Sequence, residues 1–188
     1  MKKKLVDILV QIVPVMIGVY LGFIITNWSD SSKRKMQADQ LIENILGEVA
    51  ANRTKIENSI AYHEMIRDSS RVMADPNTEN VNNDFFKGTK LANLTHSAFD
   101  TGIQTGIINE LPIQQIQLLN QIYTVQNAYD DYILIIMQGF LERDFSKEPE
   151  AIRSIARYLS VTMTDIVYQE QSLLSLYEKM EVEFGDTK

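Results

Sequence analysis

From Ile8 to Ile25 the chain carries no charged side chain, and Gln11 is the only strongly polar one. Extended to Trp28 and wound as a helix at ~1.5 Å per residue, this run is long enough to cross a hydrocarbon layer of ~30 Å. No later stretch of the 188 residues is comparably apolar. The run therefore predicts one membrane span and sets the domain organisation. Residues 1–28 read as a short tail and transmembrane anchor, and residues 29–188 as a body of one domain's size. A cleaved signal peptide would have a core of ~7–15 apolar residues and a small-x-small cleavage site. This core is longer, and Asn27-Trp28-Ser29-Asp30 follows it.

The span is lean on one side. On a helix at ~100° per residue, Asp7, Gln11, Pro14, Gly18, Gly22 and Thr26 share a face, and bulky residues such as Ile17, Tyr20, Leu21 and Phe23 cover the rest. Gly18-x-x-x-Gly22, continued by Thr26, is the small-xxx-small pattern that lets two helix backbones approach closely. Pro14 frees the carbonyl of Val10 for a neighbour's polar group, and Gln11 is placed to hydrogen-bond across such a contact. The predicted packing face is thus Gln11, Pro14, Gly18, Gly22 and Thr26, with Trp28 as the interfacial anchor. The partner is a second copy or another membrane protein. Asp7 reads as a solvated interfacial carboxylate rather than a proton-linked one.

Charge narrows the partners of the body. Residues 29–188 hold 15 Lys and Arg against 24 Asp and Glu, a formal net of −9. Such a surface argues against nucleic acid, whose phosphates need a basic face, and against broad adhesion to anionic lipid. No cysteine is present, so disulfides and Cys-ligated metals are excluded. Lys2, Lys3 and Lys4 precede the span, and Lys33, Arg34 and Lys35 follow it, so the positive-inside rule nearly ties. A very short basic N-terminus resembles a signal anchor, which places the N-terminus inside and the body on the non-cytoplasmic side.

Beyond Trp28 the pattern is helical. Leu41, Ile42, Ile45, Leu46, Val49, Ile56, Ile60 and Ile66 recur at spacings dominated by three and four. No proline interrupts between Val15 and Asp75, so the span and this helix form either one rod or two helices hinged near Ser29–Ser32. Asp75-Pro76-Asn77 ends the pattern, and Asn80 to Asn83 read as loop. Asp84 is a candidate cap for a short helix, and Thr95 for another reaching about Thr105 with Gly106 at its C-terminal end. Pro112 opens a long helix through Leu141, and the last helix runs from Pro149 to about Glu183. The fold class is all-α: an N-terminal transmembrane helix followed by an antiparallel bundle of three long helices, with short connecting helices. Six tyrosines crowd the last two helices and read as core and rim.

The segments VMIGVYLGFIITNW, EVAANRTKIE and HSAFDTGIQTGIINELPIQQIQLLNQIYTVQNAYDDYI occur in that order. Together they resemble an uncharacterised family of bacterial single-pass membrane proteins. The residues that carry the resemblance are Asn27-Trp28 at the end of the span and Glu48 with Asn52. Further on they are Phe99, Gly106, Ile107, Ile108, Leu111 and Tyr123. The resemblance covers roughly residues 8–132. It implies the same architecture and brings no activity with it.

Motifs for catalysis are missing from the sequence. His63-Glu64 opens like a zinc-protease helix, but Arg67 stands where the second histidine belongs. Paired Glu-x-x-His motifs, phosphate-cradling glycine loops and serine elbows are absent. Both histidines, His63 and His96, read as surface or capping residues, and no catalytic residue, metal or cofactor is expected. The small, polar segment Thr95–Gly106 is a candidate contact surface, with His96, Phe99, Gly102 and Gly106 as its marked residues. The expected function is a membrane-anchored, non-enzymatic helical scaffold or accessory subunit that associates through its transmembrane helix. The alternative is a ligand-sensing bundle at the membrane surface.

Overall fold

In the computed structural model, the apolar run and the charged helix that follows are one α-helix, α1, from Lys2 to Ala74. The structure describes residues 2–146 and 148–185, with side chains from residue 12 onward. Between rod and hinge at Ser29–Ser32, the chain forms a rod. At ~1.5 Å per residue α1 is roughly 110 Å long. Pro14 lies inside it and withholds one backbone donor without ending the helix. The stop comes where Pro76 forbids continuation. The Asp75 carboxylate accepts the Asn77 N–H at 2.8 Å, and the Thr78 N–H reaches the Asp75 carbonyl at 3.1 Å.

Three further α-helices follow among the described residues: α2 (Ser97–Thr105), α3 (Ile113–Leu141) and α4 (Pro149–Gly185). A single 3₁₀ turn, Ile107–Glu110, links α2 to α3. Gly106 joins the two at φ 72°, a left-handed conformation that suits glycine, and donates its N–H to the Ile103 carbonyl. Strands are absent among the described residues.

The order of contacts gives the topology. Going up α1, Arg53 meets Glu181, His63 meets Glu170 and Arg71 meets Thr164, so α4 runs antiparallel to α1. Gln126 meets Tyr177 and Tyr132 meets Asp165, so α3 is antiparallel to α4 and parallel to α1. The chain goes up α1, returns along residues 75–110, goes up α3 and returns down α4. Ile45, Ile56, Leu119, Ile136, Leu159 and Ile166 fill the centre and are closed to solvent. Each such burial is worth ~1.5–3 kcal/mol, so the three long amphipathic helices hold one another in place.

The return leg departs from expectation. Residues 84–96 are not helical apart from a hydrogen-bonded turn at 83–86, so Asp84 caps no helix. Gly88 at φ 91° and Lys90 at φ 49° both sit where a right-handed helix cannot pass. This strap of extended chain is bonded by side chains instead of by its own backbone.

Two regimes divide α1. From Ile12 to Gln37 no residue is buried, and Ile17, Tyr20, Phe23 and Ile25 are all exposed. From Ala38 upward, Ala38, Leu41, Ile45, Val49 and Ile56 turn one face into the bundle. Among the described residues, one helix is long and apolar enough to cross a membrane, and it is α1, near its N-terminal end.

Candidate functional site

The predicted packing face lies on the free-standing part of α1. Gln11 lies outside the residues whose side chains are described. Pro14, Gly18, Gly22 and Thr26 are all exposed. A Cβ added at Gly18 or Gly22 would meet nothing within 4 Å, so nothing within the chain itself requires glycine there. The Thr26 hydroxyl donates to the Gly22 carbonyl at 2.9 Å, which keeps that polar group inside the helix. Trp28 is 75% exposed, at the upper edge of the apolar stretch. On a helix at ~100° per residue, the glycine face lies on the opposite side of α1 from Leu41, Ile45 and Val49.

Further up α1, a seam of polar side chains fastens the strap. Glu48 accepts the Tyr123 hydroxyl at 2.7 Å, and its second oxygen accepts the Ala98 N–H at 2.9 Å and the Ser97 hydroxyl at 3.1 Å. It thus caps the N-terminus of α2 from another helix, where a negative charge is favoured. One turn on, Asn52 donates to the Thr95 carbonyl at 2.6 Å and accepts the Thr95 N–H at 2.9 Å. Lys55 donates to the Asn93 carbonyl at 2.7 Å, and Tyr62 donates to the Gly88 carbonyl at 2.8 Å. Tyr62 also accepts the Lys87 N–H at 2.8 Å. Backbone groups that a helix would satisfy internally are satisfied here by α1.

His63 lies at the top of the seam, with its side chain wholly buried together with that of Glu170. Nδ1 is 2.8 and 3.0 Å from the two Glu170 oxygens, and Nε2 is 2.8 Å from the Thr89 carbonyl. A carbonyl only accepts, so Nε2 carries a hydrogen. A second proton lies between Nδ1 and the carboxylate. On either group it leaves the pair neutral overall, as complete burial requires. The Tyr129 hydroxyl donates to Glu170 at 3.2 Å and accepts the Ala92 N–H at 3.3 Å. At this point α1, the strap, α3 and α4 are held by one connected set of hydrogen bonds. His63 is therefore a buried keystone, not the surface or capping residue its sequence context suggested.

Burial pushes the phenols of Tyr123, Tyr129 and Tyr177 well above the usual tyrosine range, and the carboxylates of Glu48 and Glu170 push the first two further. All three hydroxyls stay neutral hydrogen-bonding groups. No family model, curated protein or solved structure matches the chain. Its chemistry is read from this geometry alone.

The marked residues of the 95–106 segment occupy separate places. Phe99 stacks on Tyr123, with ring centroids 4.1 Å apart and planes 6° from parallel. Gly102 is buried against Leu41, whose Cδ2 lies 2.7 Å from where a Cβ would stand. Gly106 makes the left-handed turn described above. His96 occupies the N-cap position of α2 without a side-chain capping bond, its ring 3.4 Å from Asp100 and 3.9 Å from Asp130. Burial raises the Asp130 carboxyl above its ordinary range, against the opposing pull of His96.

Glu170 and Ser59, whose hydroxyl donates to it at 3.4 Å, belong to no motif in the sequence, whereas Glu48 and Asn52 carry part of the resemblance. Along α1 a signal exists for Asn52, Ser59 and His63. In the three-and-four register of α1, positions 52, 59, 63 and 70 are due an apolar residue and carry Asn, Ser, His and Ser. No group of three or more metal-ligating side chains converges among the described residues. Five clefts at the surface of the described residues have linings that leave out His63, Glu170 and Tyr129.

Proposed function

We propose that the chain is a single-pass membrane protein whose bundle is a non-enzymatic interaction module or accessory subunit. It associates through the Gln11, Pro14, Gly18, Gly22 and Thr26 face of its span. One observation carries this reading: α1 is uninterrupted from the exposed apolar stretch into the bundle core. A partner seated on the glycine face would approach from the side of α1 away from the bundle, without colliding with α4. The same reading puts the span in a bacterial cytoplasmic membrane and the bundle outside the cytoplasm. The partner is a second copy or another membrane protein, and nucleic acid is not among its ligands.

The test is native mass spectrometry of the full-length chain released gently from its own membrane. The expected result is an integer multiple of 21.5 kDa, or a discrete heteromeric mass, that is lost in Gly22→Leu while the far-UV spectrum is unchanged. A wild-type mass of one chain alone, or assembly that survives Gly22→Leu, overturns the packing face. The chain has no cysteine, so Asn44→Cys, at an exposed position, reports sidedness by its reaction with an impermeant thiol reagent.

A second reading, the ligand-sensing bundle, is favoured by a cleft at the membrane-facing end of the bundle.

A further inference from the structure

We infer that the far end of α3 is a docking face for an amphipathic helix of a partner protein, apolar along one side and basic at both ends. From Tyr132 to Leu141 no residue is charged. A helix apolar on every side belongs in an interior. Yet Leu134, Ile135, Met137 and Leu141 stand open to solvent, Leu134 at 62% and Leu141 at 87%. Large apolar side chains gathered in this way mark an interaction surface. Asp131, Leu134, Gln138 and Leu141 follow one another at intervals of three, four and three, so they form a seam along α3 on the side away from buried Ile136 and Phe140. Beside the seam is a notch of about 330 Å³ between α3 and the strap, lined by Leu91, Ala92, Ile133 and Leu134 together with Asn93 and Asp130. A ridge next to a notch is the relief into which a second helix packs.

Height excludes lipid as the cover. α3 runs parallel to α1, and Tyr129 stands level with His63 through their shared bonds to Glu170. Leu134 and Leu141 lie above that level, roughly 60–70 Å along the rod from Trp28. A span tilted by about 40°, the upper end of the usual range, still leaves roughly 45 Å. This step rests on the membrane-anchor reading above.

Charge selects the occupant. Asp130 and Asp131 precede the uncharged run, and Glu142 and Asp144 follow it. Asp131 and Glu142 are exposed and form no ion pair among the described residues. Arg143, next to Glu142, turns its guanidinium over the Tyr158 ring, 4.4 Å from the centroid. Burial raises the Asp130 carboxyl, and His96 and Lys55 offset this only in part, so a further cation is favoured beside it. Two copies anchored in one membrane are related by an axis along its normal, so their α3 helices would meet parallel and in register. Asp131, on the seam, would then face its own copy, which like charges oppose. Lys or Arg side chains about three turns apart, with apolar residues between them, answer the acidic ends and cover the middle.

The test uses the full-length chain in nanodiscs of zwitterionic lipid and two labelled helical peptides of about three turns. The peptides share one Leu-rich face and carry Lys at both ends or Glu at both ends. Fluorescence anisotropy should show the Lys-ended peptide binding about tenfold more tightly. Asp131→Lys with Glu142→Lys should reverse that order. Leu134→Ser with Leu141→Ser, both exposed, should abolish binding with the far-UV spectrum unchanged. Equal binding of the two peptides, binding that survives loss of both leucines, or no binding of the Lys-ended peptide overturns the proposal. Sedimentation in detergent tests the second copy: self-association removed by the leucine changes gives the face to that copy and overturns the basic helix, and association left intact agrees with it. Flotation with liposomes separates this proposal from the anchor. A chain that does not float overturns the anchor, and the peptide titration still decides the face. A floating chain that does not tell the peptides apart overturns the docking face alone.

Discussion

The lower and upper parts of α1 belong to one continuous helix and obey different rules. Between Ile12 and Ile25 apolar residues surround the helix and stay exposed, with small residues on one side. Above Ala38 the apolar residues are confined to one stripe, which is buried, and polar residues take places within that stripe. The lower part has no partner in the chain, so its pattern records its surroundings. The upper part packs against α2, α4 and the strap and bonds to α3, so its pattern records them. Backbone conformation is the same in both, and the environment each part was selected for differs.

The comparison breaks most readily at the keystone. Glu170→Ala removes the acceptor of His63 and Tyr129 and leaves a buried ring nitrogen unpaired. The expected loss is about 3–5 kcal/mol of body stability, read by urea unfolding in detergent. The double change His63→Leu with Glu170→Leu should cost less than Glu170→Ala, because nothing polar is stranded. A loss below 1 kcal/mol for Glu170→Ala would mean that the four legs do not depend on one another there.

The same substitution placed in the two parts sharpens the contrast. Ile56→Ala, in the closed core, should cost about 2–5 kcal/mol. Ile17→Ala, exposed below the bundle, should leave the unfolding midpoint of the body within about 0.5 kcal/mol. Equal effects at both positions would show that the lower part contributes to the fold of the body.

Alkali should act on the bundle that the upper part joins, through α3 and α4. Unfolded tyrosines titrate near pH 10, and the folded phenols of Tyr123, Tyr129 and Tyr177 are raised above that. Above pH 10 the unfolded chain therefore binds fewer protons than the folded one. The stabilisation is intact below pH 10 and declines as pH rises, by up to about 1.4 kcal/mol per pH unit for each tyrosine. Unfolding midpoints between pH 8 and pH 11 measure the slope, and Tyr129→Phe should flatten it. A level profile would refute the coupling. The smallest effect belongs to the border between the parts. Arg34 and Glu110, 3.3 Å apart and exposed, should contribute about 0–1 kcal/mol, lost on Arg34→Ala and in high salt.

Helices were legible in the sequence where periodicity and punctuation agreed. Gly106, Pro112, Pro149 and Gly185 all stand at or beside element boundaries, and the apolar stripe of α1 names its buried face. Two things were not legible. The strap has no periodicity, because its hydrogen-bond partners are side chains 25 to 43 residues away in sequence. The His63–Glu170 pair joins residues 107 apart, and a lone histidine beside charged neighbours looks the same whether it faces water or a buried carboxylate. The tyrosines were readable as core and rim, yet which hydroxyl meets which acceptor depends on the register of α3 and α4, which spacing alone does not fix.

The unbroken course of α1 makes it a lever arm. From Trp28 to Ala74 the axis is roughly 69 Å long, so a tilt of about 10° at its foot sweeps the far end sideways by roughly 12 Å. Between Gly22 and Leu41 or His63 the helix has no break, so a twist at Gly22 is carried toward both along one continuous backbone.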